Sequence, residues 1–186
     1  MQETEICRDT RLLINKIDVL SAKELSELCK AAKQTIVDNA SFSLGFHYLD
    51  TPEEEVLKRY FLGALLVPER EQFICKIDGV VAGYLELLKP SSNHLTKSFS
   101  AEIINHFVAP WARGKGIAQS MLQFAEQLIA RSNVCVIKLS VRDNLKEAIK
   151  LYEKCGYKKW GSCDKYEKIS QQYIIGHFYY KELADV

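Results

Sequence analysis

No stretch of this 186-residue chain approaches the ~18 to 20 consecutive apolar residues that cross a bilayer. The N-terminus, MQETEICRDT, is polar where a secretory leader would carry an apolar segment, so a soluble, unprocessed, cytoplasmic protein without a membrane partner is expected. An excess of one charge is missing too. Lys and Arg number 25 against 24 Asp and Glu, for a net charge of +1, so there is no overall basic field to draw the molecule to nucleic acid. The six cysteines, Cys7, Cys29, Cys75, Cys135, Cys155 and Cys163, contain no CxxC or CxxH spacing, which removes the usual zinc and dithiol signatures. Free, core-filling thiols are expected, and no metal. Three disulfides would also suit the even count, but a chain this long and apolar needs no staples. The prolines are only four, at 52, 68, 90 and 110, and no Pro/Gly-rich linker, repeat or low-complexity segment separates one part from another. At this length and 47% apolar content, a single domain spanning 1–186 is expected.

What is present reads as alternating elements. Leu12 to Ile17 suits a short strand. Ser21 and Glu24 form a capping box for a helix to about Asp38, with Leu25, Leu28 and Ala32 on one face. Thr51-Pro52-Glu53-Glu54 repeats the start signal with Pro52 at the first helical position, and that helix runs through Val56, Tyr60 and Leu65. From Gln72, FICKI and VVAGYLELL flank Asp78-Gly79, the signature of a tight hairpin. Phe99 to Val108 suits another strand, and beyond Pro110 the residues Ile117, Met121, Phe124 and Leu128 recur at helical spacing. Val134 to Val141 is an apolar strand, Asn144 with Glu147 caps a fourth helix, and Gly156 stands where a left-handed C-terminal cap belongs. Two strands follow, Tyr157 to Gly161 and Tyr173 to Tyr180. The order implies a mixed α/β sheet in which a strand, a helix and a strand form a right-handed parallel crossover.

The sharpest local feature is PWARGKGIA, residues 110–118, between a strand and an amphipathic helix. A helix start offers unpaired N–H groups and partial positive charge, and glycines remove side chains that would hold a phosphate away. A pyrophosphate site is predicted at the amides of Arg113, Gly114, Lys115, Gly116, Ile117 and Ala118, with the Arg113 and Lys115 side chains as added cations or as solvent-facing groups. A tight turn serving only close packing is the alternative. The G-x-G-x-x-G dinucleotide signature fails at Gln119, and no Gly-Lys-Ser/Thr of a P-loop follows.

Two ordered motifs make the chain, from roughly Gln72 to Leu183, resemble the GNAT superfamily of acetyl-CoA-dependent N-acetyltransferases. The first, Arg or Gln, two residues, Gly, one residue, Gly or Ala, is met by Arg113, Gly116 and Ala118, preceded by Val108 and Pro110. The second is met by Asn144, Ala148 and Tyr152 in NLKEAIKLYEKCGY. A narrower resemblance, to tabtoxin-resistance-type acetyltransferases, rests on Ala101-Glu102, ahead of Pro110, and on the ending GHFYYKEL, although the acid of that group's next strand is replaced by Ser140, Val141 and Arg142. The resemblance implies an α/β GNAT fold, a mixed and mostly antiparallel sheet of six to seven strands with about four helices. It implies acetyl-CoA as cosubstrate, a core over 72–183, and an acceptor side formed by 1–70.

In that fold the strands carried here by Phe99–Val108 and Val134–Val141 splay, and the pantetheine arm enters between them against the backbone of Phe107 and Val108. The resemblance places Asn144 and Ala148 beside the coenzyme and gives Tyr152 the role of acid toward the departing thiolate; plain helix packing is the alternative for Tyr152. Glu102, the only acid on the strand ahead of the motif, is the first candidate for the base that deprotonates an amine, with His106 second; a salt-bridged strand residue and a structural histidine are the alternatives, and a bulge before Val108 would change which of them faces the gap. Phe42, Phe46, His47 and Tyr48, with Tyr173, His177 and Tyr179, are candidates for the acceptor pocket or for packing. Cys155 has no histidine at a recognisable spacing and reads as a packing residue rather than a nucleophile. The expected reaction is acetyl transfer to a primary amine of a small molecule or peptide by direct attack in a ternary complex, by a monomer or homodimer. The other reading is a non-catalytic acyl-CoA-binding or interaction module.

Overall fold

The computed structural model describes residues 12–38, 52–90, 95–169 and 171–183. In chain order these form β1 (Leu12–Ile17), α1 (Ala22–Asp38), α2 (Glu54–Leu65), β2 (Arg70–Ile77), β3 (Val80–Leu88), β4 (Ser100–Val108), α3 (Ile117–Ala130), β5 (Val136–Arg142), α4 (Lys146–Lys154), β6 (Lys158–Ile169) and β7 (Gln172–Glu182). One seven-stranded sheet runs in the order β1-β2-β3-β4-β5-β7-β6. Every neighbouring pair is antiparallel except β4 and β5, which are parallel and joined by α3, as the change of hydrophobic period around Pro110 anticipates.

The sheet separates two cores. On one face Ile117, Met121, Leu122, Ala125 and Ile129 of α3 and Tyr152 of α4 pack on Phe73, Leu85, Ile103, Ile137 and Leu139. On the other, Leu25, Leu28, Ala32 and Ile36 of α1 and Leu57 and Phe61 of α2 pack on Ile74, Val81, Tyr84 and Phe107. Gly83 sets how closely α3 approaches: a Cβ there would stand 2.9 Å from Met121 Sδ and 3.2 Å from the Phe107 carbonyl oxygen. The α3 start is thereby held low over the strands that carry the site.

Local signals explain most element boundaries. The Ser21 amide donates to Glu24 Oε2 at 2.9 Å and the Glu24 amide to Ser21 Oγ at 3.2 Å, the reciprocal capping box. Asp78 (φ 50) and Gly79 (φ 83) make the hairpin. Gly156 (φ 88) closes α4 with its amide on the Glu153 carbonyl and the Tyr157 amide on the Tyr152 carbonyl, both 3.0 Å, a Schellman cap.

Two starts differ from the sequence expectation. Pro52 is not the first helical residue: α2 begins at Glu54, and the Glu53 carbonyl accepts from the Val56 amide at 3.0 Å. The run Glu53-Glu54-Glu55 favours a helix start two residues later because its acids meet the positive end of the helix, and Lys58 pairs with Glu54 and Glu55. In α4, Leu145 flanks the helix with no side-chain cap, and the Glu147 carboxylate pairs forward with Lys150 at 2.8 Å.

Glu24 also takes a 2.5 Å bond from Lys76 Nζ on β2, tying α1 to the sheet. Lys76 first and Ser21 second pull its carboxyl from the usual 4.5 down to about 2. Because the folded value is the lower one, the stabilisation is complete above pH 4.5 and fades as pH falls toward about 2. Glu24→Gln is therefore expected to cost about 1 kcal/mol at pH 7. Denaturation curves of variant and parent should converge across that acid window. A difference that stays constant to pH 2 would remove the charge from the account.

Candidate active site

The β4–β5 pairing runs from Ser100–Val136 to Ile103–Leu139 and ends there, although β4 continues to Val108 and β5 to Arg142. Beyond that point, among the described residues, β4 pairs with β3 and β5 with β7 but not with each other, which leaves a wedge-shaped opening in the sheet. Each bank carries backbone groups with no partner strand.

A bulge decides what faces this opening. Ile103 stands opposite Leu87 and Asn105 opposite Glu86, so Ile104 is an extra residue in β4. Strict alternation would put Glu102 and His106 on one face; the insertion separates them. Glu102 shares its face with Asn105, whose Nδ2 donates to Glu86 at 2.7 Å, and with Phe107, which packs in the α1/α2 core. His106 faces α4, its Nδ1 3.5 Å from the Tyr152 hydroxyl oxygen and the two ring centroids 6.2 Å apart.

The PWARGKGIA segment turns by two left-handed glycines, Gly114 (φ 77) and Gly116 (φ 75), the latter immediately before α3. A Cβ on either would meet nothing within 4 Å, so glycine is required here by the backbone angle and the space in front is open. The first ladder bond of α3 is donated by the Ser120 amide to Gly116; the amides of Ile117, Ala118 and Gln119 precede it and point off the helix start. Arg113 is exposed, but its side chain is tied down. Its Nε donates to the Val108 carbonyl at 3.3 Å, its guanidinium pairs with Asp38 at the end of α1, and its amide closes the turn on Pro110 at 3.4 Å. Arg113 braces the loop. The Lys115 side chain lies elsewhere, lining with Trp111 a cavity of about 590 Å³ between α1 and the β2–β3 hairpin.

Two adjoining cavities, of about 560 and 440 Å³, form a trough from the sheet opening along the starts of α3 and α4. The structure brings together there His106, Phe107, Val108, Arg113, Gly114, Ala118, Asn144, Ala148 and Tyr152, with Gly116 and Ile117 at the outer end. Thr35 of α1 and Leu151, Lys150 and Lys154 of α4 also line it. These four lie in ordinary helical sequence, with no motif to mark them. The trough is the right kind of container for a long chain ending in a diphosphate: an apolar inner end and a helix start at its outer end.

Burial controls the chemistry at the inner end. Tyr152 is 7% exposed, and burial, with a smaller contribution from Cys155, pushes its phenol well above the usual value of 10. Burial likewise pushes His106 down to about 4, so at neutral pH both groups are uncharged. His106 Nε2 is buried without a hydrogen-bond partner. Burial also raises the Cys155 thiol, the reverse of what activates a nucleophile. The other sequence candidates lie outside the trough. Glu102 is exposed, one residue before the last β4–β5 pair and opposite Lys138. His177 is held between Ser162 Oγ (3.0 Å) and Asp143 Oδ1 (2.8 Å). Phe42, Phe46, His47 and Tyr48 fall outside the described residues. Among the described residues no group of three His, Cys, Asp or Glu is placed to hold a metal ion, and no helix is long and apolar enough to cross a membrane.

Several solved structures share this architecture. An N-acetyltransferase from Staphylococcus aureus Mu50 superposes with a TM-score of 0.76 at 16% identity, over 94% of this chain and 100% of its own. The spermidine N-acetyltransferase of Vibrio cholerae, in complex with CoA and spermine, gives 0.74 at 20% identity, over 94% and 96%. In sequence, an uncharacterized N-acetyltransferase from the hisH-hisA intergenic region of Azospirillum brasilense is 35% identical over 134 residues, covering 72% of this chain and 77% of that protein. Residues 34–157, which hold the opening, the glycine turn and Tyr152, match the model of the acetyltransferase (GNAT) family. The chain belongs to the GNAT acetyltransferase family.

Proposed function

We propose that the protein transfers the acetyl group of acetyl-CoA to a primary amine of a small molecule or peptide, by direct attack within a ternary complex in the cytoplasm. The observation that carries this reading is the Tyr152 phenol, buried and kept protonated at the inner end of a trough that begins at a helix N-terminus. The amides from Gly114 to Ala118 would hold the diphosphate, and the backbone of Phe107 and Val108 on the β4 bank the pantetheine arm. Asn144 and Ala148 wall the other side. The unpartnered His106 Nε2 is a buried polar atom that a bound amide or water would satisfy. In this arrangement residues 72–183 would carry the coenzyme, and Thr35 and Asp38 of α1 reach across to the coenzyme side.

Acid and base stand on opposite faces of the sheet. An amine of pKa ~10.4 lies ~3.4 units above pH 7, a deficit of ~4.6 kcal/mol, so deprotonation must be assisted. Glu102 lies on the α1/α2 face and Tyr152 on the α4 face, so a carbonyl held in the opening is attacked from one side and releases its thiolate toward the other. The bulge at Ile104 makes this possible. It also takes His106 off the attacking side and sets it beside Tyr152, so of the two base candidates Glu102 is the one on the attacking side, acting through water from below the opening.

Calorimetry and thiol release test the proposal. Saturable uptake of acetyl-CoA and release of CoA on adding an amine from a panel of amino acids, spermidine, tyramine and a lysine peptide are expected. A saturable complex that forms no CoA with any acceptor would favour a non-catalytic acyl-CoA-binding module.

A further inference from the structure

The face of β5, β6 and β7 opposite α4 holds a set of side chains that the coenzyme trough does not use. Arg142, the last residue of β5, is 7% exposed and pairs with Glu167 of β6, whose side chain is 36% exposed. Arg142 stands opposite Gly176 of β7. Tyr166 lies flat over that glycine, where a Cβ would meet its ring at 2.1 Å, and reaches Ser140 Oγ at 2.6 Å. This crossing is possible because residues 164–166 of β6 bulge out between the Cys163–Gly176 and Glu167–Ile174 pairs.

Arg142 is three residues past Leu139 on β5, and His106 is three past Ile103 on β4. The strands are parallel, but the bulged Ile104 takes up one of the three β4 steps, so Arg142 stands about one residue beyond the level of His106, with Phe107 on the facing bank. A guanidinium therefore sits across the opening from Phe107, on the face from which the acceptor would attack. A buried arginine left empty is costly, and Glu167 keeps it neutralised. Because Glu167 is itself part-exposed, it can turn to water when another carboxylate arrives; that exchange leaves no unpaired charge. A polycation would instead bring like charge against Arg142.

We propose, resting on the acetyltransferase reading above, that the acceptor is an α-amino acid whose carboxylate displaces Glu167 from Arg142 while its amine enters the β4–β5 opening. The planar guanidinium presents a fork of donors that matches a carboxylate. Ser140 and Tyr166 wall the same site and set how large a side chain fits beside it.

Thiol release from acetyl-CoA is measured with the common free amino acids, with the carboxamide of the best acceptor, and with spermidine. At least one free amino acid is expected to turn over, with kcat/KM at least ten-fold above that of its carboxamide. Arg142→Gln should raise the amino acid KM at least ten-fold and leave the acetyl-CoA KM within two-fold. Glu167→Gln removes the internal competitor and should lower the amino acid KM at least two-fold, a readout that does not depend on how well the arginine variant folds. Equal use of acid and carboxamide, spermidine turnover with no amino acid accepted, or an amino acid KM unchanged in both variants overturns the inference and leaves the acetyltransferase reading standing. Failure of the parent protein to take up acetyl-CoA overturns that reading itself.

Discussion

Tyr152→Phe is expected to lower kcat by about 100-fold, within the range assigned to a positioned general acid, with the acetyl-CoA KM changed less than two-fold. The leaving thiol has a reference pKa of ~8.5, so at neutral pH a proton supplied during departure makes the thiolate a better leaving group. Burial raises the Tyr152 phenol above its usual 10; it therefore stays protonated across the working range and gives up its proton only to the charge that develops next to it. The parent rate should rise with pH as the amine loses its proton and show no loss of the acid below pH 10. The substitution removes one hydroxyl whose described contact, to His106 Nδ1, is long at 3.5 Å, so stability should fall by less than about 1 kcal/mol. Single-turnover measurement separates chemistry from product release. A rate equal to that of the parent would return Tyr152 to the packing role that its place against Tyr157, 5.8 Å between centroids, allows.

What the sequence disclosed followed from how local each signal is. The capping box at Ser21, the Asp78-Gly79 hairpin and the Gly156 cap each depend on a few neighbouring residues, and all three form. The parallel crossover was legible because the period changes from two to about three and a half around Pro110. Tyr152 and the glycine turn were legible because spacing within two motifs carries them, and the structure places both in one trough. The bulge at Ile104 was not legible in position: the run IINHF contains no glycine, its one asparagine does not mark which residue is extra, and the register shift is set by pairing with β3. That single residue puts Glu102 and His106 on different faces, a matter the sequence left open. Arg113 was unreadable for a related reason, because its partner Asp38 lies 75 residues away. The full length of β6 was hidden by exposure. It is an edge strand, and without a buried face it shows no alternation of apolar and polar residues.

Gly116→Val should abolish most coenzyme binding, by 100-fold or more, while the protein remains folded. Gly116 sits at φ 75 and ψ 3 directly before α3, a conformation that costs a non-glycine residue roughly 1–2 kcal/mol and a β-branched one at the upper end. Since an added Cβ meets nothing within 4 Å, no clash adds to that strain, and the loss of stability should stay near those values. The space that admits the side chain is the space in front of the Ile117 and Ala118 amides. A valine there would hold a diphosphate away from its donors, and 100-fold weaker binding corresponds to about 2.8 kcal/mol. Stability and affinity are thus expected to separate, which thermal denaturation of the free protein and calorimetry with CoA read independently. Lys115→Ala supplies the comparison, because Lys115 lines the cavity beside Trp111 and neither cavity of the trough; its CoA affinity should stay within three-fold of the parent. If Gly116→Val loses stability but binds CoA as the parent does, the glycine serves the turn alone and the diphosphate lies elsewhere.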